Sequence, residues 1–345
     1  MSKVHTFELT IDWKLISDIS IIDRFDASWS SIEKKEGQSL KQLKSIATVR
    51  SVGASTRIEG SKMSDIEVEV LLHNFDIYKL EDRDSQEVAG YFEVLDLISE
   101  SANSIAISEN SLKNLHNQLL KYSTKDQWHK GDYKQHDNSV QASFSDGTAQ
   151  IIFKTTPPGI ETEDAMNALI KWYNEDFATH PLVKCAVFTY EFVSIHPFQD
   201  GNGRLSRLIS TLLLLKNGYN WIQYVSFEHE IEHSKNEYYL ELRKCQAQRP
   251  EENITTWVFF FLNALKNIQS QLMHKLESTG IEAKLSPREK SILAFLSDHP
   301  GSKSGFVASR LNIPNPTVKR ILKNLVTKNL IEVFGTGPGT NYSVK

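Results

Sequence analysis

Residues 194–207 read Ser-Ile-His-Pro-Phe-Gln-Asp-Gly-Asn-Gly-Arg-Leu-Ser-Arg. His196 is the one group in this run able to accept a proton near neutral pH. Asp200 offers a hard oxygen ligand of the kind that shares a Mg²⁺ with phosphates. Gly201 and Gly203 let backbone approach a phosphate without a Cβ in the way, and Asn202 adds an amide donor. Arg204 and Arg207, three apart, share one face of a helix, and paired guanidiniums fork onto a chain of phosphate oxygens. Phe198 reads as core beneath the loop. Each residue alone has an ordinary use in a turn or on a solvated face. A turn, however, needs neither the histidine nor both arginines, so the order and spacing point to phosphate chemistry.

The flanking segments must position these groups. An apolar helix over 181–195 runs into the motif and a second, from about 204 to 217, runs out of it. The loop therefore delivers backbone to a helix N-terminus, where unpaired N–H groups and the positive end of the dipole favour an anion. Apolar residues at three- and four-residue spacing predict further helices over 39–54, 64–79, 85–101, 110–122, 162–177, 234–247 and 254–277. Gly218 marks a helix C-terminus. Segment 139–156 is the exception: a Ser-Asp-Gly turn between β-prone flanks predicts a hairpin, stopped by Pro157-Pro158-Gly159. The fold class is mainly α.

His-Pro-Phe-x-Asp-Gly-Asn-Gly-Arg-x-x-Arg is the signature of Fic-domain proteins, and 196–207 matches every fixed position. The resemblance implies a helical Fic fold with a β-hairpin flap, and transfer of AMP from ATP to a hydroxyl of a target protein or of the chain itself. By that likeness His196 deprotonates the target side chain, Asp200 holds Mg²⁺, and the run Gly201-Asn202-Gly203-Arg204-Leu205-Ser206-Arg207 binds ATP. Segment 139–156 is similar to the flap that aligns the target by strand pairing, with Ile151 and Phe153 as clamps. Gly131-Asp132-Tyr133-Lys134 resembles the family's Gly-x-Tyr-Arg stretch with lysine for arginine, which keeps the charge but loses the fork. Ser55-x-x-x-Glu59-Gly60 resembles the family's inhibitory motif and implies a helix around 47–60 whose Glu59 pairs with Arg207. Residues 236–242 resemble the stretch closing on the base, with Tyr239 or, alternatively, Tyr238 stacking on adenine. Rival readings are a nucleotide-sensing DNA-binding regulator and a Fic enzyme moving another group, such as UMP or phosphocholine.

The implied layout is a helical region over 1–110, a Fic domain over 111–275 and a small domain over 285–345, joined by a linker at 276–286. From Leu285 onward nine basic residues face three acidic ones, a net +6, which leaves −10 for residues 1–284 of a chain whose total is −4. That asymmetry suggests a separate partner for the tail. The tail reads as helix, short helix, basic helix and a two-stranded wing around Gly-Pro-Gly, which resembles a winged helix-turn-helix. Ser286 and Asn315 would cap its first and third helices. Residues 316–328 would be the recognition helix, with Thr317, Lys319, Arg320 and Lys323 near DNA; a protein-docking or homodimerising module is the alternative. His-Glu-Ile-Glu-His at 229–233 matches a zinc-protease pattern, with His229, His233, base Glu230 and Glu251 or Glu252 as third ligand. Glu232 within it and flanking Glu228 and Lys235 argue instead for a solvated face. Two cysteines, Cys185 and Cys245, are too few for a disulfide framework and read as buried free thiols. The absence of a signal-type start and of any apolar run long enough to span a bilayer points to a cytoplasmic protein.

Overall fold

The computed structural model describes residues 7–74, 80–143, 149–283, 285–328 and 330–344. Its helices are α1 (Trp13–Lys35), α2 (Gly37–Ile58), α3 (Asp65–His73), α4 (Arg83–Ser101), α5 (Glu109–Leu119), α6 (Ile160–Glu175), α7 (Pro181–Ile195), α8 (Asn202–Lys216), α9 (Phe227–His233), α10 (Lys235–Gln246), α11 (Thr255–Ala283), α12 (Pro287–Asp298), α13 (Ser304–Leu311) and α14 (Asn315–Thr327). Two antiparallel pairs complete the fold, β1 (Val140–Ser143) with β2 (Ala149–Phe153) and β3 (Ile331–Phe334) with β4 (Asn341–Val344). The chain is mainly α and divides into two compact units, up to Gln271 and from Leu272 onward.

Side-chain caps start many of these helices. Asp12, Asp82 and Ser108 accept from backbone N–H groups of the first turns of α1, α4 and α5. Ser64–Glu67 and Ser286–Glu289 form reciprocal capping boxes on α3 and α12. The core of the first unit is the pair α7 and α8, which pack against each other. Helix α7 is buried from Leu182 to Ile195 apart from Lys184, and α8 from Leu205 to Leu215. Helix α2 packs against α4, α8 and α9, and α4 against α5 and α8. Both cysteines are free and buried.

Several elements differ from the sequence expectation. Helix α1 was not anticipated, because serines and aspartates interrupt its apolar residues. Its stripe Leu15, Ile22 and Trp29 is nonetheless buried, and Trp29 and Phe25 pack on Tyr224 and Trp221. Helix α11 continues to Ala283, through most of the segment expected as linker; Leu276, Glu277, Glu282 and Ala283 are good helix formers. Helix α3 ends at His73, short of the expected 79, and 75–79 lie outside the described residues. The turn of the first hairpin, including Ser145-Asp146-Gly147, lies outside them too. Its strands pair Gln141 with Ile151 and Val140 with Phe153 across a register shift. In the second unit, Ile292, Leu296, Val307, Val318, Leu322, Leu325 and Ile331 form the core. Helix α14 starts one residue early: Pro314, not Asn315, is its cap.

Gly90 is where α4 meets α5. A Cβ there would collide with the Leu119 carbonyl oxygen, whereas one at Gly305 in α13 would meet open space. Gly90→Ala should therefore destabilise the first unit by about 3 kcal/mol or more, because backbone cannot rotate away. Gly305→Ala should be neutral or stabilise by about 0.5–1 kcal/mol. Urea denaturation of the two variants checks both signs.

Candidate active site

The loop between α7 and α8 opens with His196, which caps α7 in the left-handed conformation (φ 56°, ψ 58°). This region is sterically costly for a residue with a Cβ. The His196 N–H donates to the Phe192 carbonyl at 3.0 Å. Ring atom Nδ1 lies 3.3 Å from the Val193 carbonyl oxygen. A carbonyl only accepts, so Nδ1 carries the proton and Nε2 keeps its lone pair. Burial pushes the imidazole pKa down to about 4, helped by the Lys134 ammonium and opposed by the Val193 carbonyl, Glu59 and Asp200. The ring is neutral at physiological pH, the form that can take a proton.

Gly201, with φ +79°, turns the chain into α8. Asp200 Oδ1 accepts from the Gly201 N–H at 2.6 Å and from Arg204 Nη2 at 3.3 Å, while Oδ2 has Lys125 Nζ at 3.6 Å. Burial would raise its pKa, but Arg204, the Gly201 N–H, Lys125 and Arg83 hold it below the ordinary value. The Asp200 main chain is held by a residue that the sequence reading missed. His116 Nε2 donates to the Asp200 carbonyl at 3.0 Å, Nδ1 accepts from Gly131 N–H at 2.9 Å, and the ring stacks on Phe198 with centroids 3.8 Å apart. Phe198 is fully buried. Asn202 is not a free donor: its Oδ1 accepts from Phe198 N–H (2.9 Å) and its Nδ2 donates to Phe198 O (2.7 Å), so the side chain stitches the loop closed.

Arg204 and Arg207 are each 1% exposed. Arg204 Nη1 stands 3.2 Å from Glu87 Oε1, yet among the described residues its Nε and Nη1 have no hydrogen-bond partner. Arg207 is held from α2: Nε donates to Ser55 Oγ (2.8 Å), and Nη2 to Ser55 O (3.0 Å) and Glu59 Oε1 (2.8 Å). Burial would raise the Glu59 pKa; the Arg207 charge and hydrogen bond, with Arg204 beyond, bring it below normal. The carboxylate also lies over the first turn of α8, where a Cβ on Gly203 would collide with Glu59 Oε1. Leu205 and Ser206 are buried, and Ser206 Oγ donates to Gly203 O. Tyr238 is buried edge-on to Trp257 and Phe260, whereas Tyr239 is half-buried with Arg243 over its ring. The structure thus separates the two tyrosines: Tyr238 is core and Tyr239 is accessible.

The C-terminal end of α2 is clamped in place. Arg57 Nε and Nη2 fork onto Glu232 (2.7 and 2.9 Å), Arg57 Nη1 reaches Asp65 (2.9 Å), and Lys235 Nζ donates to Ile58 O (2.7 Å). The 229–233 motif is therefore not the solvated face expected. Glu232 serves Arg57, Glu230 accepts from Asn267 and Gln271, and buried Glu228 accepts from Tyr91 OH. Buried Glu252 pairs with Arg249. Among the described residues no group of three His, Cys, Asp or Glu side chains could hold a metal.

The side chain of Ile151 lies outside the described residues; Phe153 is half-buried, and β2 runs beside α10. In the second unit Lys319 and Lys323 line a groove of about 690 Å³ with Lys303, Asn315 and Tyr342. Thr317 and Arg320 line a different one with Arg288. The four residues expected near DNA are therefore divided between two grooves. Among the described residues no helix is long and apolar enough to cross a membrane.

Residues 106–214 match the Fic/DOC family. Over 66 residues the chain is 44% identical to "Protein adenylyltransferase Fic" of Aedes aegypti, covering 18% of this chain and 13% of that protein. It is 31% identical over 83 residues to "Protein adenylyltransferase fic-1" of Caenorhabditis briggsae, covering 23% and 16%. The matches thus span only a small part of these curated relatives. In fold, the chain resembles a Fic family protein from Desulfovibrio desulfuricans, with TM-score 0.65, 22% identity and 99% and 98% of the two chains covered. A Fic-domain signaling protein from Bacteroides thetaiotaomicron gives 0.61, 22% identity, and coverage of 75% and 97%. Residues 106–214 of this chain are a domain of the Fic family.

Proposed function

We propose that this protein is a self-inhibited adenylyltransferase that moves AMP from ATP to a Ser, Thr or Tyr hydroxyl of a protein, releasing pyrophosphate. The observation that carries the reading is Glu59 on Arg207, over the first turn of α8, 2.8 Å from a guanidinium that suits a terminal phosphate. A neutral imidazole, a carboxylate and a helix N-terminus converge there, and the matched relatives bear the adenylyltransferase name.

In this reading His196 Nε2 takes the proton of the attacking hydroxyl. The oxygen forms a bond to the α-phosphorus as the bond from that phosphorus to the bridging oxygen breaks, and the electron pair leaves with pyrophosphate. The first turn of α8 receives phosphate oxygens, and Arg204 and Arg207 take those further along. Asp200 Oδ2, with Lys125 Nζ at 3.6 Å, suits a Mg²⁺ shared with phosphates, since one carboxylate suffices when substrate and water supply the rest. Bound there, the ion would neutralise phosphate charge. The target segment would add to β2 by main-chain pairing, which is tolerant of sequence, and Tyr239 would flank the base. The C-terminal unit, a winged helix in this reading, docks nucleic acid on its Lys303–Lys319–Lys323 groove. It works in the cytoplasm.

Glu59 inhibits because a carboxylate on Arg207 occupies the position of the distal phosphate and repels it. With α-labelled ATP and Mg²⁺, Glu59→Gly should raise transfer at least about tenfold, equivalent to about 1.4 kcal/mol. His196→Ala in that background should lower it by about 10²-fold or more. No rise in transfer with Glu59→Gly would refute inhibition by this contact.

The contact also has a pH signature. Glu59 has a depressed pKa in the folded state, so the stability it adds is present above its unfolded value near 4.5 and lost as pH falls through the folded value. Thermal denaturation of wild type and Glu59→Gln should show a wild-type advantage at pH 7 that closes below pH 4.5. An advantage unchanged down to pH 3 would contradict the charged pair.

A further inference from the structure

The left-handed His196 turn must be held by its surroundings, because strained backbone persists only where neighbours over-determine it. Four consecutive carbonyls, from Ile195 to Phe198, accept hydrogen bonds from three residues. Lys134 Nζ donates to Ile195 O at 3.1 Å, and Lys134 N–H to Pro197 O at 2.8 Å. Asn138 Nδ2 donates to Phe198 O at 2.6 Å, with a longer contact to His196 O at 3.4 Å, and Asn202 Nδ2 also reaches Phe198 O. Lys134 is 2% exposed, and its ammonium has two more acceptors, Asn138 Oδ1 at 2.8 Å and Thr155 Oγ1 at 3.0 Å. Thr155 Oγ1 in turn donates to Asn138 Oδ1 at 2.9 Å. It lies two residues past the end of β2, the strand proposed to pair with the target.

A buried ammonium is costly unless its hydrogen bonds are satisfied, and all three of this one's protons are placed. One holds the residue before the base and another the base of the hairpin. We propose that Lys134 is a positioning residue: it locks His196 in its reactive turn and ties that turn to the foot of the substrate-aligning hairpin. Lysine suits this task better than arginine, because three separate acceptors around one nitrogen match an ammonium more closely than a planar fork. The proposal rests on the adenylyltransferase reading for its effect on rate, but the structural tie to His196 stands apart from it. Charges facing His196 are Lys134, Glu59 and Asp200, and Asp137 faces Lys134.

The test uses the full chain with Glu59→Gly as reference. Lys134→Met should lower kcat for AMP transfer at least about tenfold with KM for ATP within about threefold, because the phosphate ligands are untouched. Thr155→Val, which removes the hydroxyl's bonds to Lys134 and Asn138 and leaves Lys134 on Ile195 O, should lower kcat in the same way by a smaller factor. Lys134→Arg, which keeps the charge and can still reach Ile195 O, should recover part of the rate. Titration of ¹³C-labelled His196 gives a reading independent of activity. Without the ammonium, which lowers it, its pKa should move up relative to the reference. If Glu59→Gly itself transfers no AMP, the adenylyl reading fails, and the His196 titration still decides the proposal. Unchanged kcat in Lys134→Met, or an unmoved His196 titration in that folded variant, would overturn it. Should Lys134→Met fail to fold, Thr155→Val decides: a kcat equal to that of the reference overturns the tie.

Discussion

Arg207 is a guanidinium with 1% of its surface exposed, and a buried cation needs counter-groups at all times. Ser55 supplies two of them, through its hydroxyl and its carbonyl, and Glu59 supplies the charged one. The Glu59 carboxylate is still 31% exposed, so it is the partner with a way out. Much of the first unit serves this contact. The α7–α8 pair fixes the guanidinium, and α2 brings up Ser55 and Glu59 one helical turn apart. The Arg57–Glu232 fork and the Lys235–Ile58 bond hold the end of α2 against α9 and α10.

The base is positioned from the opposite side. The loop 196–201 gains its shape from groups outside it: His116 beneath Asp200, Asn202 across Phe198, and Lys134 and Asn138 on the carbonyls of the His196 turn. The imidazole is neutral by burial and oriented by Val193 O. His196 and Arg207 thus sit on separate supports, one tied to the hairpin and the other to α2. A change at Glu59 removes a charge that His196 feels but leaves the hydrogen bonds that hold its turn in place.

The candidate cluster was legible because its residues are contiguous: 196–207 holds a histidine, a carboxylate, glycines and arginines in one run, and Glu59 stands at a recognisable spacing from Ser55. What was not legible came from side chains that act on backbone. His116 and Asn138 look like ordinary polar residues in a sequence, since nothing in their neighbours marks which carbonyl they will reach. Asn202 was misassigned for the same reason: an amide between two glycines reads as a donor for a ligand until Phe198 is seen to take both its atoms. Helix α1 was hidden by its serines and aspartates, and the linker by the good helix formers that extend α11. The zinc-type pattern at 229–233 was not decidable from the sequence, because the partners of its carboxylates, Arg57, Asn267 and Gln271, lie 37 to 175 residues away.

In the function proposed above, Glu59 and the terminal phosphate of the nucleotide compete for Arg207. Calorimetric titration of wild type and Glu59→Gly with ADP and with a non-transferable ATP analogue, both with Mg²⁺, tests it most directly. Removing the carboxylate should tighten binding of the ATP analogue about tenfold or more, while ADP gains much less. Equal gains for the two nucleotides, or none for either, would contradict it.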